Sequence, residues 1–277
     1  MNKPEKNILL LSVDFEDPRY EISNGMKYSN RVSIMTEKFL DYFTHRNLKA
    51  TFFISGHLID SHLPLLQRIE SEGHEIGCHT YAHKLLNRYN RETFSKDLTK
   101  FFEATEKYGF KKPIGFRAPS LTINENTRWV YSVLSEFGIC YSSSVLPSNI
   151  PGLGWKQVLR QVHLQDGIWE IPLNVYSLFY LRVPFSGGMF FRIVPNFILR
   201  RAILQNLREG FPLAMYFHPY EADYQQERYN HVGTSNILFK WLMYYNRRNL
   251  FTKIDFLLDV FELCVMPYGL FYYKHLA

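Results

Sequence analysis

The first half of the chain alternates short apolar runs with segments of helical periodicity, and this alternation restricts the fold more than any other feature. Residues 8–13 and 50–54 have the pattern of buried strands, and residues 63–72 have that of a helix, with Gly73 just past its end. The same order continues to a fifth strand over residues 139–145. Because strands and helices alternate with short links, the sequence predicts an α/β fold built on a parallel sheet or barrel.

The regularity loosens between residues 146 and 195, where proline and glycine are frequent. One strand, over residues 168–175, is recognisable there, and Trp155 and Trp169 need burial, so we expect long functional loops rather than a linker. Beyond this region the pattern predicts helices over residues 195–209, 236–246 and 253–262 and a last clear strand over residues 212–217. We expect a single domain over residues 1–277.

Composition excludes several classes of protein. Apolar residues make up 46% of the chain and charged residues 21%, as in soluble globular enzymes. The basic residues behind the net charge of +6 are dispersed, so nucleic acid is not an expected partner. Three widely spaced cysteines indicate a reducing compartment. No signal-peptide pattern and no long apolar run is present, so we predict a cytoplasmic location, with the inner face of the membrane as an alternative.

Polar residues stand at the carboxyl ends of successive predicted strands. In a closed parallel barrel these ends meet at one rim, where catalytic groups lie. The residues are Asp14, His79, Arg117, Glu170 and His218.

The segment GHEIGCHTYAH contains two histidines four residues apart, His79 and His83. If a helix follows the strand, both imidazoles lie on one face and form half of a zinc-type site. With one carboxylate they would make three protein ligands, which leaves a position for water, as a hydrolytic site requires. No glutamate lies between the histidines, which argues against a zincin-type peptidase.

Three carboxylates crowd the end of the first strand, at Asp14, Glu16 and Asp17. Their mutual repulsion favours a bound cation or a retained proton. Asp14 and Glu16 have the same strand parity, whereas Asp17 needs a turn to join them.

Arg117 and His218 can complete a catalytic set. Arg117 would pair with Asp14 and orient it as a general base. His218 is a candidate general acid for a leaving amine. Glu221 and Asp223 both lie close enough in sequence to raise the pKa of His218, and the sequence leaves open which of them does so.

Seven motifs in order carry a resemblance to a known family. The chain resembles the polysaccharide deacetylases of carbohydrate esterase family 4 (the NodB-homology group), and in particular the subgroup of exopolysaccharide and O-antigen loci. The resemblance implies a distorted (β/α)7 barrel, with long loops after the fifth and sixth strands, that hydrolyses an N-acetyl group from a sugar in a metal-dependent reaction. The motifs are VDFED, KATFFISG, GHEIGCHTYAH, GFRAPS, WEIPL, GGMFFR and FHPYEAD.

The resemblance also implies roles for individual residues. Asp14 corresponds to the catalytic base, Arg117 to the residue that tethers it, and His218 to the catalytic acid. His79 and His83 correspond to the metal histidines.

The first motif departs from the family, which has two adjacent aspartates where this chain has Asp14 followed by Phe15. The metal carboxylate is therefore either Glu16 or Asp17.

Substrate contacts and cofactor follow from the same resemblance. Trp169, Glu170 and Pro119 are predicted to bind substrate. The expected metal is zinc (Zn2+), with cobalt (Co2+) as an alternative. The expected substrate is an acetamido sugar of a surface-glycan precursor linked to a nucleotide or to polyprenyl diphosphate. The aromatic tail at residues 269–275 either contacts a membrane or packs under the barrel.

Two other functions remain open at this point. One is a metal-independent cyclic-amide hydrolase of allantoinase type on the same barrel. The other is an inactive barrel that binds glycans.

Overall fold

The structure is a computed structural model that describes residues 7–229 and 237–277. Strands and short helices alternate through most of it. The strands are β1 (Ile8–Phe15), β2 (Thr51–Ile54), β3 (Glu75–Cys78), β4 (Gly115–Phe116), β5 (Tyr141–Ser142), β6 (His163–Gln165), β7 (Ile168–Glu170), β8 (Val175–Leu178), β9 (Leu181–Pro184), β10 (Leu213–Phe217) and β11 (Cys264–Met266). The α-helices are α1 (Val32–His45), α2 (Leu63–Ser71), α3 (Arg91–Lys107), α4 (Val130–Glu136), α5 (Gly188–Ile193), α6 (Asn196–Arg208), α7 (Ile237–Tyr244), α8 (Leu250–Val260) and α9 (Tyr268–His275).

Within these residues, seven parallel strands curl into one sheet in the order β10-β1-β2-β3-β4-β5-β7. β6 adds to β7 as an antiparallel neighbour, and β11 pairs with β1. The side chain of Asn174, which follows β7, reaches β10: its Oδ1 accepts the Ala214 N–H at 2.6 Å, and its Nδ2 donates to the Pro212 carbonyl at 3.0 Å. The predicted α/β fold, a distorted (β/α)7 barrel, is confirmed.

The alternation of side chains along β1 decides what faces the barrel interior. Leu9, Leu11 and Val13 belong to the large apolar core between sheet and helices. Leu10 belongs to the smaller core inside the barrel, and Asp14 has the same parity. A carboxylate therefore points into the barrel at its carboxyl-terminal rim.

One of the predicted strands was wrong for a local reason. The strand expected over residues 168–175 is split into β7 and β8, because Pro172 has no backbone N–H to donate to a ladder. The helix predicted over residues 236–246 is seen as α7, and residue 236 lies outside the described residues.

The aromatic tail packs under the barrel in α9, with Tyr268 fully buried and Phe271 5% exposed. In the described ranges, no helix has the length and apolar character needed to cross a bilayer.

Candidate active site

The carboxyl ends of four parallel strands converge on one cleft of about 420 Å³. Asp14 is the next-to-last residue of β1. His79 follows β3, Arg117 follows β4, and His218 follows β10. Asp14, His79 and His218 line the cleft, and Arg117 lies fully buried beneath it. The rim predicted from the strand ends is thus present for these four residues.

Glu16, His79 and His83 form the one cluster in the described residues whose ligand atoms could hold a metal ion. Glu16 Oε2 lies 2.8 Å from His83 Nε2 and 3.5 Å from His79 Nε2, and the two Nε2 atoms are 3.1 Å apart. Ligand atoms bound at about 2.0–2.1 Å around one tetrahedral zinc ion lie about 3.3 Å from each other. The distances between the three atoms are therefore close to those expected for three ligands of one tetrahedral zinc ion.

The other nitrogen of each imidazole is already occupied. His79 Nδ1 donates to the carbonyl oxygen of Arg117 at 2.8 Å, and His83 Nδ1 donates to Glu21 Oε1 at 2.6 Å. These bonds leave the Nε2 lone pairs directed toward each other and toward Glu16, which is how metal-binding histidines are oriented. The donor set fits a divalent cation.

Electrostatics in the metal-free protein agree with this arrangement. Burial disfavours the charged form of Glu16, but His218 and His83 outweigh burial and hold the pKa of Glu16 well below its usual range. Burial likewise opposes protonation of His83, and the carboxylates of Glu16 and Glu21 overcome it and raise the pKa of His83 to about 10. Both shifts favour an ion pair between Glu16 and His83, and binding of a cation there would displace the proton of His83.

The two histidines do not lie on a helix, so the expectation of one helical face was wrong. The segment between them is a loop in which Thr80 (φ +60°) and His83 (φ +50°) both have left-handed backbone conformations. Such conformations are costly for residues with a Cβ and persist only where the surroundings impose them.

The surroundings that impose this loop come from α3. Asp97 Oδ2 accepts the Tyr81 N–H at 2.6 Å, and Asp97 Oδ1 accepts the Ala82 N–H at 3.0 Å. Thr80 Oγ1 also accepts the His83 N–H at 3.0 Å. Asp97 therefore positions the loop between the histidines, and the motif analysis missed it because it lies outside the histidine motif.

Asp17, the alternative metal carboxylate, is occupied elsewhere. Its Oδ2 accepts from Arg19 Nη2 at 2.7 Å, and its Oδ1 accepts the Arg19 N–H at 3.0 Å, which caps the short 3-10 helix Pro18–Glu21. The turn that begins at Pro18 directs Asp17 away from the histidines. Glu16 is the carboxylate that the structure brings to them.

Asp14 and Arg117 meet inside the barrel. Arg117 Nη1 lies 3.5 Å from Asp14 Oδ2, and its Nη2 reaches the hydroxyl groups of Ser12, Ser143 and Tyr268 at 3.2–3.4 Å. Asp14 Oδ1 is buried and has no hydrogen-bond partner in the described structure. This free oxygen is available to a ligand in the cleft.

The ring of His218 lies between two carboxylates. Its Nδ1 lies 3.5 Å from Glu221 Oε2, and its Nε2 lies 3.6 Å from Glu16 Oε1. Glu221 in turn accepts from the buried Arg192 at 3.4 Å. Burial alone would lower the pKa of His218, but Glu16 and Glu221 raise it to about 9.

Asp223, the other acid considered for His218, pairs with Arg31 instead. Both carboxylate oxygens accept from that guanidinium, at 2.9 Å for the contact with Nη2.

The three predicted substrate-binding residues lie outside the lining of the cleft. Glu170 is fully buried, where it accepts the backbone N–H of Ser144 at 2.7 Å. Pro119 is buried as well, and Trp169 packs against the inner core.

Other residues line the cleft in their place, among them Leu153, Phe190 and Tyr216. Gly187 lets the backbone pack directly against the Tyr216 ring on this side of the cleft, since a Cβ on Gly187 would lie 2.2 Å from that ring. These lining residues come from irregular segments, whose course the sequence pattern does not indicate.

The curled parallel sheet, with two histidines and acidic groups at its rim, can be compared with known proteins. A family model described as polysaccharide deacetylase matches residues 21–136, and one described as a domain of unknown function (DUF3473) matches residues 143–268. The match over residues 21–136 confirms the predicted resemblance of this part of the chain to the polysaccharide deacetylases. The matched part contains both histidines but not Glu16.

Several known proteins similar to this chain are described as deacetylases. A peptidoglycan-N-acetylglucosamine deacetylase of Bacillus cereus is 35% identical over 91 residues, which is 33% of this chain and 33% of that protein. A peptidoglycan deacetylase of Helicobacter pylori is 26% identical over 164 residues, 57% of this chain and 53% of the relative. The chain spans between about a quarter and a half of the length of the first four curated relatives.

The structural comparison extends over nearly the whole chain. A solved structure from Mycobacterium smegmatis, provisionally described as a polysaccharide deacetylase, superposes with a TM-score of 0.64. It covers 98% of this chain and 91% of that protein at 20% identity. A likeness at this level of identity shows the fold.

Proposed function

We propose that this protein is a metal-dependent hydrolase that removes the N-acetyl group from an acetamido sugar. The observation that carries the proposal is the convergence of Glu16, His79 and His83 at the cleft that also holds Asp14 and His218. Three protein ligands beside a candidate base and a candidate acid are the parts that hydrolysis of an amide requires. We propose zinc as the metal, with cobalt as an alternative.

The residues of the chain would divide the reaction between them. Glu16, His79 and His83 would hold the cation. When bound, such a cation polarises the acetyl carbonyl and makes water a better nucleophile.

The remaining residues move protons. Asp14, oriented by the Arg117 guanidinium, takes the proton of the attacking water. His218, held by Glu221, donates a proton to the amine nitrogen as the C–N bond breaks, so the products are acetate and an amino sugar. Arg117 orients two participants, because its guanidinium contacts Asp14 and its carbonyl accepts from His79.

The substrate class follows from the motif resemblance and the charge. We propose an acetamido sugar of an O-antigen or exopolysaccharide precursor, carried on a nucleotide or on polyprenyl diphosphate. The net charge of +6 suits a diphosphate carrier. Cys78 and Cys140 are free thiols, which agrees with the cytoplasm or the inner face of the membrane as the location.

We also propose that residues 1–277 act as one catalytic domain. Asp14, His79 and His83 come from the first half of the chain, and His218 comes from the second. The sheet pairs β1 with β10, so neither half can build the rim alone.

The test is an acetate-release assay on nucleotide-linked and lipid-linked acetamido sugars, with protein that has been stripped of metal and then given zinc or cobalt. We expect release only with added metal, and we expect His79→Ala to lose both metal and activity. Full activity and metal content in His79→Ala would refute the proposal. Metal-free hydrolysis of a cyclic amide would instead identify the allantoinase-type reaction, and metal binding without any hydrolysis would identify an inactive glycan-binding barrel.

A further inference from the structure

The β8–β9 hairpin exposes four consecutive apolar residues at its tip. Leu178 pairs with Leu181, so Phe179 and Tyr180 form a two-residue turn. Phe179 is 94% exposed and Tyr180 is 82% exposed, and the two leucines are 43% and 36% exposed. A contiguous apolar tip of this kind marks a surface that has a partner. We call residues 178–181 the hairpin tip.

The residues at the tip do not stabilise the hairpin itself. Phe179 has a φ of +53°, a conformation that glycine or asparagine adopts at much lower cost. The phenylalanine contributes almost nothing to the core from this position. A residue that breaks a local rule and buries nothing is explained by a contact outside the chain.

The base of the hairpin is held firmly on two sides. On one side, the Ser177 N–H donates to Gln205 Oε1 at 2.8 Å, and Gln205 Nε2 donates to the Ser177 carbonyl at 3.2 Å. On the other side, Asn149 Nδ2 donates to the Tyr180 carbonyl at 2.6 Å, and Asn149 Oδ1 accepts the Arg182 N–H at 2.7 Å. The tip is therefore presented in a fixed direction.

Cations flank the hairpin tip. The Arg182 guanidinium donates to the carbonyl oxygen of Lys156, which places the two residues side by side. Neither residue has a carboxylate partner among residues 7–229 and 237–277. Apolar and aromatic groups with basic residues beside them are the composition that binds an anionic bilayer surface.

We propose that the hairpin tip inserts into the interfacial region of a lipid bilayer while Lys156 and Arg182 contact anionic headgroups. A lipid partner is favoured over a glycan because Leu178, Phe179 and Leu181 offer sugar hydroxyls no hydrogen bond. Tyr180 adds an amphipathic ring suited to headgroup depth.

The position of the tip relates it to the cleft. Asn149, which binds the tip, belongs to the same loop as Leu146 and Leu153, and both of these line the cleft. Docking at the tip would hold the cleft beside the bilayer, within reach of a lipid-carried sugar. This last step rests on the proposed function, whereas the membrane contact itself does not.

The test is co-flotation of the full chain with vesicles of phosphatidylcholine, alone or mixed with phosphatidylglycerol. We expect wild type to bind the anionic vesicles and the double variant Phe179→Ser/Tyr180→Ser to lose more than about tenfold in partitioning. Lys156→Gln/Arg182→Gln should weaken binding to anionic vesicles only, by roughly fivefold for each charge removed. The matched control is Leu270→Ser/Tyr273→Ser, which changes exposed residues of α9 and should bind like wild type.

Three results would overturn the proposal: no binding of wild type to either vesicle, unchanged binding of Phe179→Ser/Tyr180→Ser, or loss of binding only in the α9 control. Self-association that disappears in Phe179→Ser/Tyr180→Ser, without vesicle binding, would assign the tip to a second copy of the chain. Acetate release from a water-soluble substrate, measured in parallel, separates the two proposals. If activity is absent but vesicle binding behaves as expected, only the proposed function fails.

Discussion

Oδ2 of Asp97 accepts a hydrogen bond from the backbone N–H of Tyr81 at 2.6 Å, and this contact anchors α3 to the loop between the two histidines of the candidate metal site. The neighbouring N–H of Ala82 binds the other carboxylate oxygen. The spacing of His79 and His83 therefore depends on a side chain that touches neither imidazole.

We predict that Asp97→Ala weakens zinc binding by about 10–100-fold, as loss of an outer-shell partner does. It should also lower the free energy of unfolding by about 1–3 kcal/mol, because buried N–H groups lose their acceptor. Zinc titration against a competing chelator and urea unfolding measure the two effects. Glu103→Ala, an exposed change on the same helix, should alter neither, and wild-type zinc affinity in Asp97→Ala would contradict this role.

A second prediction distinguishes the two neighbouring acids. Glu16→Gln should lose at least about 100-fold in metal affinity, since a ligand matters at least as much as an outer-shell partner. Asp17→Asn should keep its metal, because Asp17 serves Arg19. Metal content after dialysis against limiting zinc gives the comparison. The opposite pattern, with metal lost from Asp17→Asn and retained by Glu16→Gln, would reverse the assignment.

A third prediction concerns Glu221, which lies beside the candidate general acid His218. Glu221→Gln should reduce kcat by about 10–100-fold with little change in KM or metal content, because it disturbs His218 and not the ligands. The control is Asp223→Asn, two residues away, whose carboxylate binds Arg31 rather than His218. Steady-state kinetics on a soluble acetamido sugar separate the two variants. Equal losses of kcat in both variants would show that any change in this loop lowers the rate, and that Glu221 has no specific role beside His218.

A fourth prediction links pH to stability through His74, which lies far from the cleft. Burial, followed by the charge of Lys49, lowers the pKa of His74 to about 4, so the folded protein keeps the ring neutral. The unfolded chain takes up a proton below about pH 6.5, and stability should therefore fall as the pH drops from about 6.5 to about 4. Neutral Nδ1 accepts the Ala50 N–H at 3.1 Å.

Urea unfolding at several pH values measures this dependence. His74→Asn should be less stable at pH 8 but lose less stability on acidification than wild type does. His45→Asn, an exposed histidine on α1, should have the wild-type slope. If the free energy of unfolding of His74→Asn depends on pH as it does in wild type, another group causes the loss of stability at acidic pH.

The strands and the rim could be predicted because parallel sheets leave a strong local signal. Short apolar runs alternate with helical patterns, and the polar residue after each run marks the rim, as with His79 and His218. The positions of these rim residues were therefore accessible from the sequence, whereas the contacts that each of them makes were not.

The remaining details depend on contacts between distant residues. Spacing of i and i+4 cannot distinguish a helix from a loop held by Asp97, because the holding residue lies outside the motif. Glu16 and Asp17 are adjacent acids, and only the turn that begins at Pro18 decides which of them faces the histidines. The hairpin tip gives no periodic signal, since its residues resemble an ordinary buried strand until their exposure is known.

The place of β1 in the sheet has a consequence for the order of synthesis. β1 pairs with β2 soon after it is made, but its other edge waits for β10, and the Ser12 hydroxyl finally bonds a carbonyl 203 residues away. At typical translation rates of about 5–20 residues per second, that delay is roughly 10–40 s. During it an apolar strand edge stays open to other chains, so ribosome stalling before residue 213 should favour aggregation. Among the strands of this sheet, the one that carries Asp14 is made first and waits longest for its partners.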